Sequence, residues 1–306
     1  MDRKVDILMA TYNGEPFIRQ QISSIQNQTL KDWVLYIHDD GSTDSTVSII
    51  RDMAAHDERI VLIEDGISFH APAPNFMHLL KFAQAEYVIF SDQDDIWLEN
   101  KLQVTYDSIS RESQDIPLAY YSNGYIYDSV TNEISGRSVL VPPRDLGTAL
   151  FLNGGVQGCA IMINRKLREI CLDHPDFICM HDHLITLAAL TFGRMVYIDQ
   201  KLMLYRRHCH TVTDVSSRGY KDKIILFFQK KKPIIDGRHF KAIQAFYEHY
   251  SERIPEQQKV LFVVFLKMVQ MNFFSRFWTI LKYPFSLYNS KQLLLCKLFL
   301  RPFKEF

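Results

Sequence analysis

Three acids fall within four positions in Ser91-Asp92-Gln93-Asp94-Asp95-Ile96-Trp97. Like charges so close repel, and burying them unpaired costs on the order of several kcal/mol, so a bound cation is the economical explanation. Hard carboxylate oxygens suit Mg2+ or Mn2+, which take one or two protein carboxylates and complete their shell with phosphate oxygens and water. A solvated acidic turn is the plainer alternative. A second cluster, His38-Asp39-Asp40-Gly41-Ser42-Thr43-Asp44, offers a carboxylate that could accept hydrogen bonds from a nucleotide base or ribose. An ordinary turn, with Ser42 or Thr43 capping the next helix, satisfies the same residues. A third acid, Asp182 in Met180-His181-Asp182-His183, stands where a helix begins and reads by itself as a cap.

These residues need elements to hold them. Short apolar runs at Val5–Ala10, Trp33–His38, Ile60–Glu64 and Tyr87–Ser91 read as strands, and Phe17, Ile18, Gln21, Ile22 and Ile25 recur between the first two at helical spacing. Alternating strands and helices predict an α/β doubly wound sheet, whose ligands gather outside the carboxyl ends of the strands. Both acidic clusters fall just after strands, as that rule requires. Further on, a helix is expected from about Leu98, followed by the aromatic-rich Leu118–Tyr127, a strand at Cys159–Ile163, a helix at Leu184–Leu190, and two strands at Met195–Asp199 and Leu202–Arg206.

The strand ends at residues 9–14, 38–44 and 91–95, taken together, are specific. Met9-Ala10-Thr11-Tyr12-Asn13-Gly14, the DDGSTD segment and SDQDD resemble, in order and spacing, the nucleotide-sugar domain of family 2 glycosyltransferases, over about residues 4–215. The resemblance implies a GT-A type fold with a mostly parallel central sheet, and an inverting transfer from a nucleotide-diphosphate sugar. It implies that Tyr12 stacks on the base, that Asp40 and the backbone at Ala10 contact it, and that Asp92 and Asp94 form the metal-binding DxD pair, with Asp94 the surer ligand. Asp182 would be the general base, in a segment that resembles the HDWW version of rhamnosyltransferase-like relatives, although His183 and Leu184 replace the two tryptophans. Tyr205-Arg206-Arg207-His208 resembles a YRxH segment from which Arg206 or His208 would meet diphosphate charge; a plain basic loop is the alternative. Trp97, Gly155 and His181 are expected on the acceptor side, Gly155 because glycine admits a substrate close to the backbone.

The chain has 306 residues and no net formal charge, yet from Lys221 onward 16 Lys and Arg face 6 Asp and Glu. The expected division is a catalytic domain over residues 1–220 and a basic, aromatic-rich helical extension over residues 221–306, with Lys230-Lys231-Lys232-Pro233 near the boundary and a break at Pro284. After Lys259 the cations interleave with Phe262, Phe265, Phe273, Phe274, Phe277, Trp278, Phe285 and Phe299, a pattern suited to an anionic membrane surface. A helical subdomain with its aromatics inward, or a homodimer contact, fits the same pattern, and nucleic acid fits it less well. Five cysteines without a CxxC pair predict a reducing compartment, and the start of the chain reads as a strand and not a signal peptide. The expectation is a cytoplasmic enzyme, peripheral on the inner face of the membrane, whose saccharide acceptor is lipid-linked. A metal-dependent nucleotidyltransferase lacks its Gly-rich loop here, and a catalytically silent scaffold would not need three separated acidic clusters.

Overall fold

The computed structural model describes residues 3–207 and 232–304. The chain divides into two compact units: Met1–Leu140, Val156–His174 and Met180–His208 form one, and Val141–Gly155, Pro175–Cys179 and Cys209–Phe306 the other. The helical unit therefore recruits two segments from mid-chain, which linear order alone does not reveal. The expected boundary at residues 220 and 221 lies outside the described residues.

In chain order the elements are β1 (Val5–Thr11), α1 (Ile18–Gln26), β2 (Trp33–Asp39), α2 (Thr46–Ala54), β3 (Ile60–Ile63), α3 (Pro72–Leu79), β4 (Tyr87–Ser91), β5 (Ile96–Trp97), α4 (Lys101–Ile109), β6 (Leu118–Asp128) and β7 (Glu133–Ser135). There follow α5 (Leu146–Ala149), in the second unit, then β8 (Ile161–Asn164), α6 (Arg165–Leu172), α7 (His181–Phe192) and β9 (Arg194–Arg207). One sheet runs β3-β2-β1-β4-β8-β6-β9-β5, with β7 paired to β6. The first four strands are parallel and so are β6 and β9, while β8 lies antiparallel to both its neighbours.

Val5, Ile7, Leu8 and Met9 of β1 are fully buried, because a central parallel strand is covered on both faces and so reads as a nearly continuous apolar run; the one acid in it, Asp6, is buried too and accepts from the Gln84 and Ala85 amides. The register sets Thr11 beside Asp39 and Met9 beside Ser91, so three strands deliver their carboxyl ends to one sheet edge. Three local expectations need correcting. The two strands expected at Met195–Asp199 and Leu202–Arg206 are one, β9. Its pairing with β6 jumps from Ile198 opposite Ser122 to Lys201 opposite Asn123, so that Asp199 and Gln200 bulge out of register. The strand expected from Cys159 begins at Ile161, after a tight 3-10 turn over Gly158–Ala160. Neither Ser42 nor Thr43 caps α2; Asp44 instead accepts from Thr46 N at 3.0 Å.

Among the described residues the second unit contains four further helices, α8 (Gly237–Tyr250), α9 (Glu256–Lys267), α10 (Phe273–Lys282) and α11 (Lys291–Leu300). Asp236, Asn272 and Ser290 cap α8, α10 and α11 with their side chains. The core holds Phe151, Phe246, Phe262, Phe265 and Phe285, all buried, with Phe151 edge-on to both Phe265 and Phe285. By contrast Phe274, Trp278 and Leu281, spaced along one face of α10, are exposed, and so is Phe299 on α11. The tail aromatics thus divide between an inward and an outward set. No helix among the described residues is long and apolar enough to cross a membrane.

Candidate active site

At the shared sheet edge the three motif loops are laced together. The Gln93 side-chain amide accepts from Tyr12 N at 3.0 Å and donates to Tyr12 O at 2.9 Å. A methyl group on Gly14 would come within 2.3 Å of Gln93 Oε1, so this approach requires glycine. Asn13, at a φ of 46°, donates its N–H to Ser42 Oγ and accepts from Thr43 N, each at 2.8 Å. Thr46 Oγ1 accepts from Gly14 N, also at 2.8 Å. Tyr12 itself stands 54% exposed above this lacing, with its ring open to a planar partner.

The acids of the second motif are in a different condition. Asp92, Asp95 and Cys159 each place a potential ligand atom within 4.8 Å of the other two. Burial, and then the charge of Asp94, pushes the Asp92 carboxyl up to about 7. Burial and the charges of Asp92 and Asp94 raise Asp95 well above the carboxylate range. Asp95 Oδ1 accepts from Arg206 N at 3.2 Å, while its buried Oδ2 has no partner among the described residues. The Cys159 thiol, raised by burial and by the same acids, remains neutral, and its single S–H can serve only one of the two carboxyls at a time. Crowded carboxylates with an orphaned buried oxygen are what a divalent cation relieves, and a donor set dominated by oxygen fits Mg2+ or Mn2+. Below them Lys101 is wholly buried on α4; its Nζ donates to Cys159 O at 2.7 Å and lies 4.1 Å from the centre of the Trp97 ring. Burial brings this amine down to about 8, against the pull of the nearby acids.

Asp182 stands at the start of α7 in the same unit. Burial and the charge of Asp92 push its carboxyl up to about 7, opposed by the His183 and Gly158 backbone amides, and its Oδ1 has no partner among the described residues. Its backbone carbonyl accepts from Thr186 Oγ1, which in turn accepts from Val156 N, so the first turn of α7 is pinned to the segment leading into β8. Gly158 makes the approach possible, since a methyl there would lie 2.4 Å from His181 Nε2 and 3.4 Å from Asp182 Cβ. A carboxyl that titrates near neutrality beside a cluster of acids at a strand end has the properties of a general base next to a cation site.

The family model for glycosyl transferase family 2 matches residues 6–170. The chain belongs to glycosyltransferase family 2. It is 32% identical over 214 residues to a dTDP-rhamnosyl transferase, RfbG, of Shigella flexneri, a match covering 65% of this chain and 71% of the relative. It is 30% identical over 166 residues to an Escherichia coli UDP-Glc:alpha-D-GlcNAc-diphosphoundecaprenol beta-1,3-glucosyltransferase, WfgD, covering 54% of this chain and 62% of that one. Among solved structures, residues 1–349 of S. aureus TarS superpose with a TM-score of 0.59 at 15% identity, over 86% of this chain and 70% of the other. A Pyrobaculum calidifontis mannosyltransferase, in complex with GDP-Man and Mn2+, superposes with a TM-score of 0.51 at 17% identity, over 96% of this chain and 74% of that one. At these identities the structural likeness establishes the GT-A fold. The chain is a glycosyltransferase of a family that serves bacterial surface-polysaccharide synthesis.

Several residues expected in the glycosyltransferase site are placed otherwise. The Arg206 guanidinium is buried rather than open to a diphosphate: Nε donates to Asp94 O and an Nη to Gln20 Oε1, both at 2.6 Å, between the Phe17 and Tyr127 rings. It holds the acidic loop in shape. Trp97, expected beside the acceptor, is buried in β5 under Lys101. His181 is buried with its ring 4.0 Å from that of Phe76; burial takes it down to about 3, so it is a neutral packing group. Asp40 is buried too, its carboxylate accepting from Ser68 Oγ and from the backbone amides of Phe69, His70 and Ala71. Ala10 lies half-buried in β1 opposite His38. Gly155 falls in the second unit, and His208 lies outside the described residues. Sequence reasoning missed Gln93, Asp95, Lys101 and Cys159. Asp95 was visible as the third acid of its motif; the other three act through contacts spanning 58 or more residues and left no local signal.

Proposed function

We propose that this chain transfers a sugar, with inversion, from a nucleoside-diphosphate donor to a hydroxyl of a lipid-linked saccharide during surface-polysaccharide assembly. The observation that carries the reading is the meeting of Asp182 with the Asp92-Asp94-Asp95 turn, two acidic groups of unlike task in one unit. Tyr12 offers its exposed ring to the donor base. Asp92 and Asp94, with Asp95 behind them, would hold Mg2+ or Mn2+, which when bound neutralises charge on the leaving diphosphate. Asp182 takes the proton of the acceptor hydroxyl as that oxygen attacks the anomeric carbon and the bond to the diphosphate oxygen breaks. A single in-line displacement inverts the anomeric centre and needs no protein nucleophile.

The relatives supply the finer reading. One is named for dTDP-rhamnosyl transfer and another for a diphosphoundecaprenol acceptor. These names support the reading of a hexose or deoxyhexose donor and of an acceptor carried on a membrane lipid. The outward face of α10 fits that location, because Phe274 and Trp278 are exposed in a segment whose cations outnumber its acids. The decisive experiment incubates the protein with Mn2+, a panel of nucleotide sugars including dTDP-rhamnose and UDP-glucose, and a diphosphoundecaprenol-linked saccharide. Release of nucleoside diphosphate with a product of inverted anomeric configuration by NMR is expected; pyrophosphate release, or retention, overturns the reading. For the membrane, co-sedimentation with anionic liposomes is expected to fall in high salt and in a Phe274→Ser/Trp278→Ser double variant. Equal pelleting of variant and parent returns α10 to a packing or dimer role.

A further inference from the structure

On the face of the sheet that carries α3, His38 at the end of β2, Asp65 in the turn after β3 and His78 on α3 place their ligand atoms within 4.8 Å of one another. His38 is buried, His78 is nearly so, and the Asp65 side chain reaches solvent. His38 Nε2 lies 3.3 Å from Asp65 Oδ1, and His78 Nε2 lies 2.6 Å from Asp65 Oδ2.

The tautomer of His38 is fixed by its neighbour. Asn75 Nδ2 donates to the His38 carbonyl at 3.3 Å, which aims Asn75 Oδ1 at His38 Nδ1, 2.8 Å away. An amide oxygen only accepts, so Nδ1 carries a proton and Nε2 is the nitrogen left to face the Asp65 carboxylate. Either a proton on Nε2 or a bound cation can stand between that nitrogen and the carboxylate, and the approach of a second imidazole, His78, to the same carboxylate favours the cation. A ring whose far nitrogen donates to a carbonyl is also the arrangement in which histidine binds metal, because that hydrogen bond fixes the ring and raises the basicity of the free nitrogen.

We propose that His38 Nε2, Asp65 and His78 Nε2 form a second cation site, distinct from the acidic turn, for a borderline transition ion of the Zn2+ class. Two imidazoles and one carboxylate select such ions over Mg2+, which prefers an all-oxygen shell. Ligands about 2.0–2.1 Å from a tetrahedral ion stand about 3.3 Å apart, the separation already present between His38 and Asp65. The closer His78 and Asp65 side chains open toward solvent, where water completes the shell. The ion would clasp β2, the turn after β3 and α3, immediately behind the Asp39-Asp40 loop.

The test uses the full chain without an affinity tag, dialysed against Zn2+ alone and then with excess Mg2+ to fill oxygen sites. One Zn2+ per chain is expected to persist in excess Mg2+. Affinity is expected to weaken at least tenfold in Asp65→Asn and in His78→Gln, and to be unchanged in Asp94→Asn. Co2+ at this site is expected to give the strong visible absorption of tetrahedral coordination, again lost in His78→Gln. Circular dichroism confirms that each variant is folded, and His78→Gln, at a partly exposed position, is the safeguard if Asp65→Asn unfolds. No stoichiometric Zn2+ in excess Mg2+, or binding that survives both variants, overturns the site and leaves His38 as a buried imidazolium held by Asp65. Neither result bears on sugar transfer, which Asp94 and Asp182 test separately.

Discussion

Two acidic turns stand at the ends of β2 and β4, the strands on either side of β1, and they meet opposite fates. In the first, Asp39 accepts from Thr11 Oγ1, Gly41 N and both the amide and hydroxyl of Ser42, while Asp40 gathers three backbone amides and a serine hydroxyl. In the second, Asp92 and Asp95 face each other across a neutral thiol, and an oxygen of Asp95 is orphaned. The number of acids at a strand end therefore says little about their task. The supply of donors around them decides it: a carboxylate rich in N–H partners builds a loop, and one deprived of them waits for a cation.

That contrast breaks most sharply at Asp94. Asp94→Asn removes charge but little volume and is expected to abolish Mn2+-dependent donor binding, read by isothermal titration, with the melting temperature nearly unchanged. Donor affinity that still responds to Mn2+ would take Asp94 out of the metal site. Asp182→Asn is expected to lower turnover by roughly 10²–10⁴-fold while donor affinity holds, since a base acts in the transition state. The parent's turnover should rise with pH through about 7 as Asp182 loses its proton, and the residual rate of the variant should lack that limb. A variant with the same profile would place the base elsewhere.

Asp40→Asn tests the satisfied turn. The new NH2 must face at least one of the amides of residues 69–71, so a loss of about 1–3 kcal/mol of stability is expected, with metal binding retained. Chemical denaturation and Mn2+ titration together distinguish it from Asp94→Asn; the same phenotype in both would erase the distinction between the turns. The smallest effect belongs to His181→Phe. The folded protein holds this ring near pH 3 against 6.5 for a free histidine, so the unfolded chain binds more protons between those values and stability is lost as pH falls through them. The phenylalanine variant should match the parent at pH 7 and be the more stable of the two near pH 5, by thermal melts at each pH. Parallel melting curves at both pH values would show that His181 is not held neutral.

Much of this was legible in the chain because the determining signals are local. A strand buried on both faces is largely apolar, so β1, β2 and β4 announce themselves, and their ends locate the motifs; Asp6, buried in mid-β1, is the exception. The role of Arg206 was not legible. A guanidinium near a phosphate site invites the reading of a phosphate contact, yet here the fold spends it on the Asp94 carbonyl, 112 residues earlier. The bulge that keeps β9 whole was equally hidden, since Asp199-Gln200 resembles a turn until β6 supplies a partner on both sides of it. Lys101 is the extreme case, an exposed-looking lysine on a helix whose burial follows only from what β8 and β9 place above it.

The paired hydrogen bonds between the Gln93 side chain and the Tyr12 backbone imitate one rung of a β-ladder, with an amide side chain standing in for a strand. For anyone re-engineering donor choice, this means that Tyr12, the ring proposed to stack on the base, and the acidic turn are a single mechanical part. Re-aiming Tyr12 by altering its backbone would drag the proposed metal ligands of that turn with it. Substitutions that leave residues 12–14 and 93 intact, and reshape the pocket from the side of the Asp39 turn, are the ones that can change the base without moving the ion.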